Sequence, residues 1–85
     1  MKITVYSNLN CVQCEQTKRY LTLQEVEFES KMIEDSPEVF SIIEANNYKA
    51  APVVVVDNGT SWSGFRLEKL ADLVASYKLA LSAGK

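Results

Sequence analysis

At 85 residues, 47% of them hydrophobic, the chain has apolar surface for one core and no room for a second, so residues 1–85 read as a single domain. A formal net charge of −2, with no Lys/Arg run, offers no basic field for nucleic acid. No apolar stretch approaches the roughly 20 residues of a membrane span, and Met1-Lys2-Ile3-Thr4 lacks the apolar stretch of a signal peptide. The expected compartment is therefore the cytoplasm, where thiols are kept reduced.

Lys2 to Tyr6 reads as a first strand. A helix is expected from Val12 to about Gln24, with Cys14, Lys18 and Leu21 on one face and Val12, Tyr20 and Leu23 adding apolar contacts elsewhere. Val26-Glu27-Phe28-Glu29-Ser30 alternates as a second strand. Asp35-Ser36-Pro37-Glu38 has the form of a helix start, with a capping Asp35, Pro37 in the first turn and Glu38 three residues after the cap. The helix it opens runs through Val39, Phe40, Ile42 and Ile43 to about Asn46. Val53-Val54-Val55-Val56 suits a strand covered on both faces, and Asp57-Asn58-Gly59-Thr60 a tight hairpin returning Ser61-Trp62-Ser63 antiparallel. Leu67, Leu70, Ala71, Val74, Tyr77 and Leu81 keep helical spacing, and Ala83-Gly84-Lys85 is expected to fray. The order β-α-β-α-β-β-α gives an α/β fold, a four-stranded mixed sheet with a right-handed crossover between its first two strands and helices on both faces.

The only two cysteines stand as Cys11-Val12-Gln13-Cys14, between the first strand and the first helix. The strand fixes the first thiol at the surface. The helix aims unpaired N–H groups and the positive end of its dipole at Cys11, favouring the thiolate, which is the species that attacks disulfides. Cys14, one turn later, can close a small ring with Cys11 and release a bound partner. Other uses fit less well. Free cysteines pack in cores, but this spacing at a strand-to-helix junction points elsewhere. A ring this small removes little unfolded-chain entropy. Zinc needs four ligands and the chain has no histidine, so only a dimer sharing two pairs completes a site. No metal or organic cofactor is expected.

Three separated pieces resemble the thioredoxin superfamily and, within it, the NrdH-redoxins: Cys11-Val12-Gln13-Cys14 with Thr17-Lys18 downstream, Ala51-Pro52-Val53-Val54, and Trp62-Ser63-Gly64-Phe65-Arg66. The first two mark the superfamily; the third is more particular to the NrdH-redoxins. The resemblance implies a thioredoxin fold and a dithiol–disulfide electron carrier, with Cys11 attacking and Cys14 resolving. It also implies reduction by thioredoxin reductase, delivery of electrons to the large subunit of class Ib ribonucleotide reductase, and action as a monomer.

By the same resemblance Pro52 is cis, exposing the backbone of Ala51 to an extended partner peptide. The segment Trp62 to Arg66 replaces the features with which glutaredoxins hold glutathione. Within it Ser63-Gly64 forms a turn, Phe65 packs in the core, Arg66 organises hydrogen bonds to neighbouring loops, and a partly exposed Trp62 serves reductase docking, with plain packing the alternative. Lys18 shares roughly the face of Cys11 and favours a thiolate by charge; Glu15 opposes it and pairs with Arg19. The chain departs from the family pattern at Leu9-Asn10 and Leu67, where relatives carry Pro, and at Glu25-Val26, where many carry Gly. The alternatives are a glutathione-dependent glutaredoxin and a redox-sensing binding module.

Overall fold

Four strands, β1 (Ile3–Ser7), β2 (Glu29–Met32), β3 (Val53–Val56) and β4 (Ser61–Ser63), form one sheet of order β2-β1-β3-β4 in the computed structural model, which describes residues 1–83. β1 and β2 run parallel, with Thr4 beside Glu29. β3 is antiparallel to β1, setting Val5 against Val54, and β4 returns antiparallel with Trp62 opposite Val54. The hairpin between β3 and β4 turns where Gly59 takes φ +94°, and the Asn58 side chain accepts the Thr60 N–H at 2.9 Å. Helices α1 (Val12–Leu23), α2 (Phe40–Asn46) and α3 (Leu67–Ala83) complete the α/β fold. Among the described residues no helix is long and apolar enough to cross a membrane.

Strand alternation sorts the side chains into two cores. Ile3, Val5, Val54, Val56 and Trp62 pack with Leu21 of α1 and with Leu70, Leu73, Val74 and Tyr77 of α3. On the opposite face Tyr6 and Val53 meet Val39, flanked by the partly buried Ile42 and Ile43. The four valines of β3 thus serve both faces, which is why their run shows no polar alternation.

Several boundaries differ from the sequence expectation. β2 begins at Glu29, so Val26 and Phe28 precede it; Val26 is buried and Phe28 partly buried, both against the main core. Their alternation suits a strand, but Glu25 turns the chain out of α1 in the left-handed region (φ 60°) and they fill the core from a loop. Ser36, not Asp35, is the cap residue at Pro37, and its Oγ makes no capping bond but donates to the Met32 carbonyl at 2.7 Å. Two short 3₁₀ turns, Ile33–Asp35 and Pro37–Val39, come before α2, whose regular part starts at Phe40. In α3 the buried face includes Leu73 in place of Ala71, while Leu67 and Leu81 are exposed. On α1, Val12 and Leu23 are likewise exposed, and Thr17 joins Cys14 and Leu21 in the buried stripe. Of the tail, Ala83 ends α3; Gly84 and Lys85 lie outside the described residues.

Candidate functional site

Cys11 is the N-cap of α1. Its backbone is extended (φ −107°, ψ 104°), its carbonyl accepts the Glu15 N–H at 3.2 Å, and its Sγ accepts the Cys14 N–H at 3.1 Å. A sulfur thus fills the place usually taken by a Ser or Asp oxygen and satisfies one of the free N–H groups of the first turn. The same N–H and the helix dipole stabilise negative charge on that atom. Cys11 is partly exposed; Cys14, on the buried stripe of α1, is 0% exposed. The two form a disulfide with their Cα atoms 5.2 Å apart. This arrangement can present one sulfur to a partner and keep the other behind it, within reach only of the first.

The loop between β1 and Cys11 enters the motif through Asn10, whose φ of 54° is closed to proline. Glu25, at φ 60°, occupies a left-handed turn, the conformation that glycine adopts most readily.

Backbone and side-chain bonds bring the three separated pieces together. The Ala51–Pro52 peptide is cis, with Pro52 fully buried and Ala51 partly so. The Pro52 carbonyl accepts the Gly64 N–H at 2.8 Å, tying the proline loop to the turn before α3. The Phe65 N–H then donates to Oε1 of Gln13 at 2.9 Å, tying that turn to the dithiol helix. Gly64 has φ +81°, and a Cβ there would make only ordinary contacts, 3.4 Å from Gln13 Oε1 and 3.9 Å from the Ala50 Cβ, so it is the backbone conformation that favours glycine. Gln13 was not singled out from the sequence. Its bond spans 52 positions and joins a side chain to a backbone N–H, a contact that leaves no pattern in residue types.

Other candidates are placed differently from the sequence expectation. Trp62 is 3% exposed and belongs to the main core, so it presents no docking surface; β4 alternation points it inward against Val54, and its indole Nε1 has no hydrogen-bond partner. Ser63 and Phe65 are partly exposed, Phe65 packing on the main core. Arg66 is exposed and bonds Glu68 two residues on, Nε to Oε2 at 2.9 Å, in place of the neighbouring loops. Lys18 pairs with Glu15 at 3.0 Å, so the i,i+3 pair forms where an i,i+4 pair to Arg19 was expected. That pairing sets the lysine against the neighbouring carboxylate, leaving the helix terminus as the local source of positive potential at Cys11. Beside Cys11 an open groove of about 460 Å³ is lined by Asn10, Val12, Glu15, Gln16 and Arg19.

The glutaredoxin family model matches residues 3–61. The glutaredoxin-like protein NrdH of Lactococcus lactis subsp. lactis is 38% identical over 71 residues, 84% of this chain and 97% of that protein. NrdH of Escherichia coli K12 is 38% identical over 66 residues, 78% of this chain and 80% of that one. Among solved structures, the NrdH-redoxin of Escherichia coli, described as a glutaredoxin-like protein with a thioredoxin-like activity profile, superposes with a TM-score of 0.75 at 36% identity, covering 86% of this chain and 95% of that one.

Proposed function

Because the chain belongs to the glutaredoxin family, in its NrdH-redoxin branch, we propose that it reduces a protein disulfide and is itself re-reduced by thioredoxin reductase. Its Cys11–Cys14 disulfide is then the oxidised form of the working dithiol. In the reduced protein the Cys11 thiolate attacks one sulfur of the partner's disulfide, forming a mixed disulfide and releasing the partner's other sulfur as thiolate. Cys14 then loses its proton and attacks Cys11 Sγ, closing the ring and freeing the second partner thiol. Two electrons pass to the partner, and a flavoprotein reductase returns two to the ring. The large subunit of class Ib ribonucleotide reductase is the proposed target. Residues 1–85 act as one domain, a monomer in the cytoplasm, with the partly exposed Ala51, Ser63 and Phe65 forming the wall against which the partner chain lies, shaped from behind by the buried Pro52 and Gly64.

One observation carries the assignment of roles: Cys11 is the partly exposed helix cap and Cys14 is buried one turn inside. The thioredoxin-like activity profile ascribed to the Escherichia coli relative supports thioredoxin reductase over glutathione as the source of electrons. Cys14→Ser should trap a stable mixed disulfide through Cys11, visible by mass spectrometry, and the oxidised parent should consume NADPH with thioredoxin reductase. Trapping by Cys11→Ser and not by Cys14→Ser would reverse the roles. Turnover with glutathione and glutathione reductase alone would make the protein a glutathione-dependent glutaredoxin.

A further inference from the structure

Helical spacing places Val12, Glu15, Gln16 and Arg19 on one face of α1, and all four are exposed. With Asn10 they line the open groove of about 460 Å³ that begins at Cys11. The groove is apolar at one end and charged at the other. Leu9 and Val12, 75% and 71% exposed, flank Cys11 in the chain. Farther along, Glu15 is engaged by Lys18 at 3.0 Å, whereas Arg19 makes no ion pair among the described residues. The unopposed charge is thus a guanidinium, whose planar fork matches a carboxylate. Arg19 stands eight positions after Cys11, about 12 Å along the helix axis. An extended chain advances about 3.3 Å per residue and covers that distance in about four residues.

We propose that this face of α1 is a docking surface for the polypeptide that carries the disulfide, and that Arg19 selects a partner segment with an acidic residue about four positions from the reacting cysteine. The inference rests on the proposed function above and names the chemistry of the partner. The partner chain crosses Cys11 from the wall of Ala51, Ser63 and Phe65, sets its residues nearest the cysteine on Leu9 and Val12, and runs along α1 until its carboxylate meets the guanidinium. Arg19 takes no part in the exchange of sulfurs. It raises the rate of the first exchange by holding the partner's disulfide at Cys11, so its effect depends on the charge of the partner and falls as salt rises.

The test uses short extended peptides whose single cysteine is capped as a mixed disulfide with neutral thiopyridine. The Cys11 thiolate of the reduced protein attacks the peptide sulfur and expels coloured thiopyridone; Cys14 then loses its proton, attacks Cys11 Sγ and frees the peptide thiol, so the dithiol gives up two electrons. One series carries Glu, Gln or Lys four positions before the cysteine and a second carries them four positions after it. At low salt one of the two series should react about threefold faster with Glu than with Gln, the scale of one exposed ion pair, and slowest with Lys. Arg19→Ala should level the three rates, and Arg19→Glu should invert their order. Dipyridyl disulfide, which has no chain to dock, should react with parent and variants within about twofold once each rate is corrected for thiolate content. Equal rates across both series, or a preference for Glu that survives Arg19→Glu, overturns the proposal. A uniform slowing of every probe by Arg19→Glu also overturns it, because the charge would then act on the Cys11 thiolate and not on the partner. A parent that reacts with dipyridyl disulfide but reduces none of the peptides overturns the proposed function; one that reduces all of them without regard to charge keeps that function and loses this surface.

Discussion

The two faces of the sheet are unequally built. One carries α1 and the 17-residue α3 over a core that takes in Ile3, Val5, Leu21, Val54, Val56, Trp62 and Leu70. The other carries the seven-residue α2, over a core whose buried members are Tyr6, Val39 and Val53. The dithiol belongs to the heavier face: Cys14 shares a buried stripe of α1 with Thr17 and Leu21. The resolving sulfur is therefore positioned by the same packing that holds the molecule together, whereas α2 can vary with little effect on the chemistry.

The largest effect expected from this inequality is at Trp62. Trp62→Ala removes the largest side chain of the main core and should cost about 3–5 kcal/mol in a urea titration. Activity should fall in step with the unfolded fraction, and alkylation of Cys11 in the remaining folded protein should be unchanged. A loss below about 1 kcal/mol would erase the distinction between the faces. On the lighter face, Val39→Ala deletes two buried methyl groups and should cost about 2 kcal/mol. Disulfide-reduction rates at native conditions should stay at the parental value; a drop there would show that α2 also positions the site.

The smallest effect sharpens the lighter face alone. Glu38 is held below the ordinary glutamate range by its own backbone N–H, by the Tyr6 hydroxyl donating at 3.1 Å and by Lys31 at 3.5 Å. A depressed folded-state value means that the fold favours the carboxylate. Its contribution is complete above the ordinary value of 4.5 and fades as pH falls through the lower folded value. Glu38→Gln should therefore flatten the decline of melting temperature below pH 4.5, leaving it nearly unchanged near neutrality. Parallel melting curves for parent and variant across that range would show that the cluster adds nothing.

The heavy face was partly legible in the sequence. The β-branched run of β3, the Asn58-Gly59 turn and the paired cysteines each state their structure locally, because backbone preference and tertiary placement agree there. Legibility failed where one residue type serves two placements. Val26 and Phe28 alternate like a strand but plug the core from a loop, and an aromatic in a short edge strand fits docking as well as burial until β4 is paired with β3. Leu67 and Leu81 keep helical spacing yet are exposed, because spacing marks a helix face without saying how much of it a core covers. The cysteines of the candidate site could be read from their spacing, but the bonds from Gln13 to Phe65 and from Pro52 to Gly64 could not, because they depend on chain paths set by the whole fold.

Those long-range bonds also give the protein a history during its own synthesis. Gln13 and the turn it latches are 52 positions apart. At about 5–20 residues per second, a ribosome takes roughly 3–10 s to cover that distance. For that interval the nascent chain carries both thiols without the complete Gly64 turn beside them. Its sulfurs then lack the surroundings that the finished fold places beside them. Those surroundings are complete only once the segment carrying Gly64 and Phe65 has folded back onto α1.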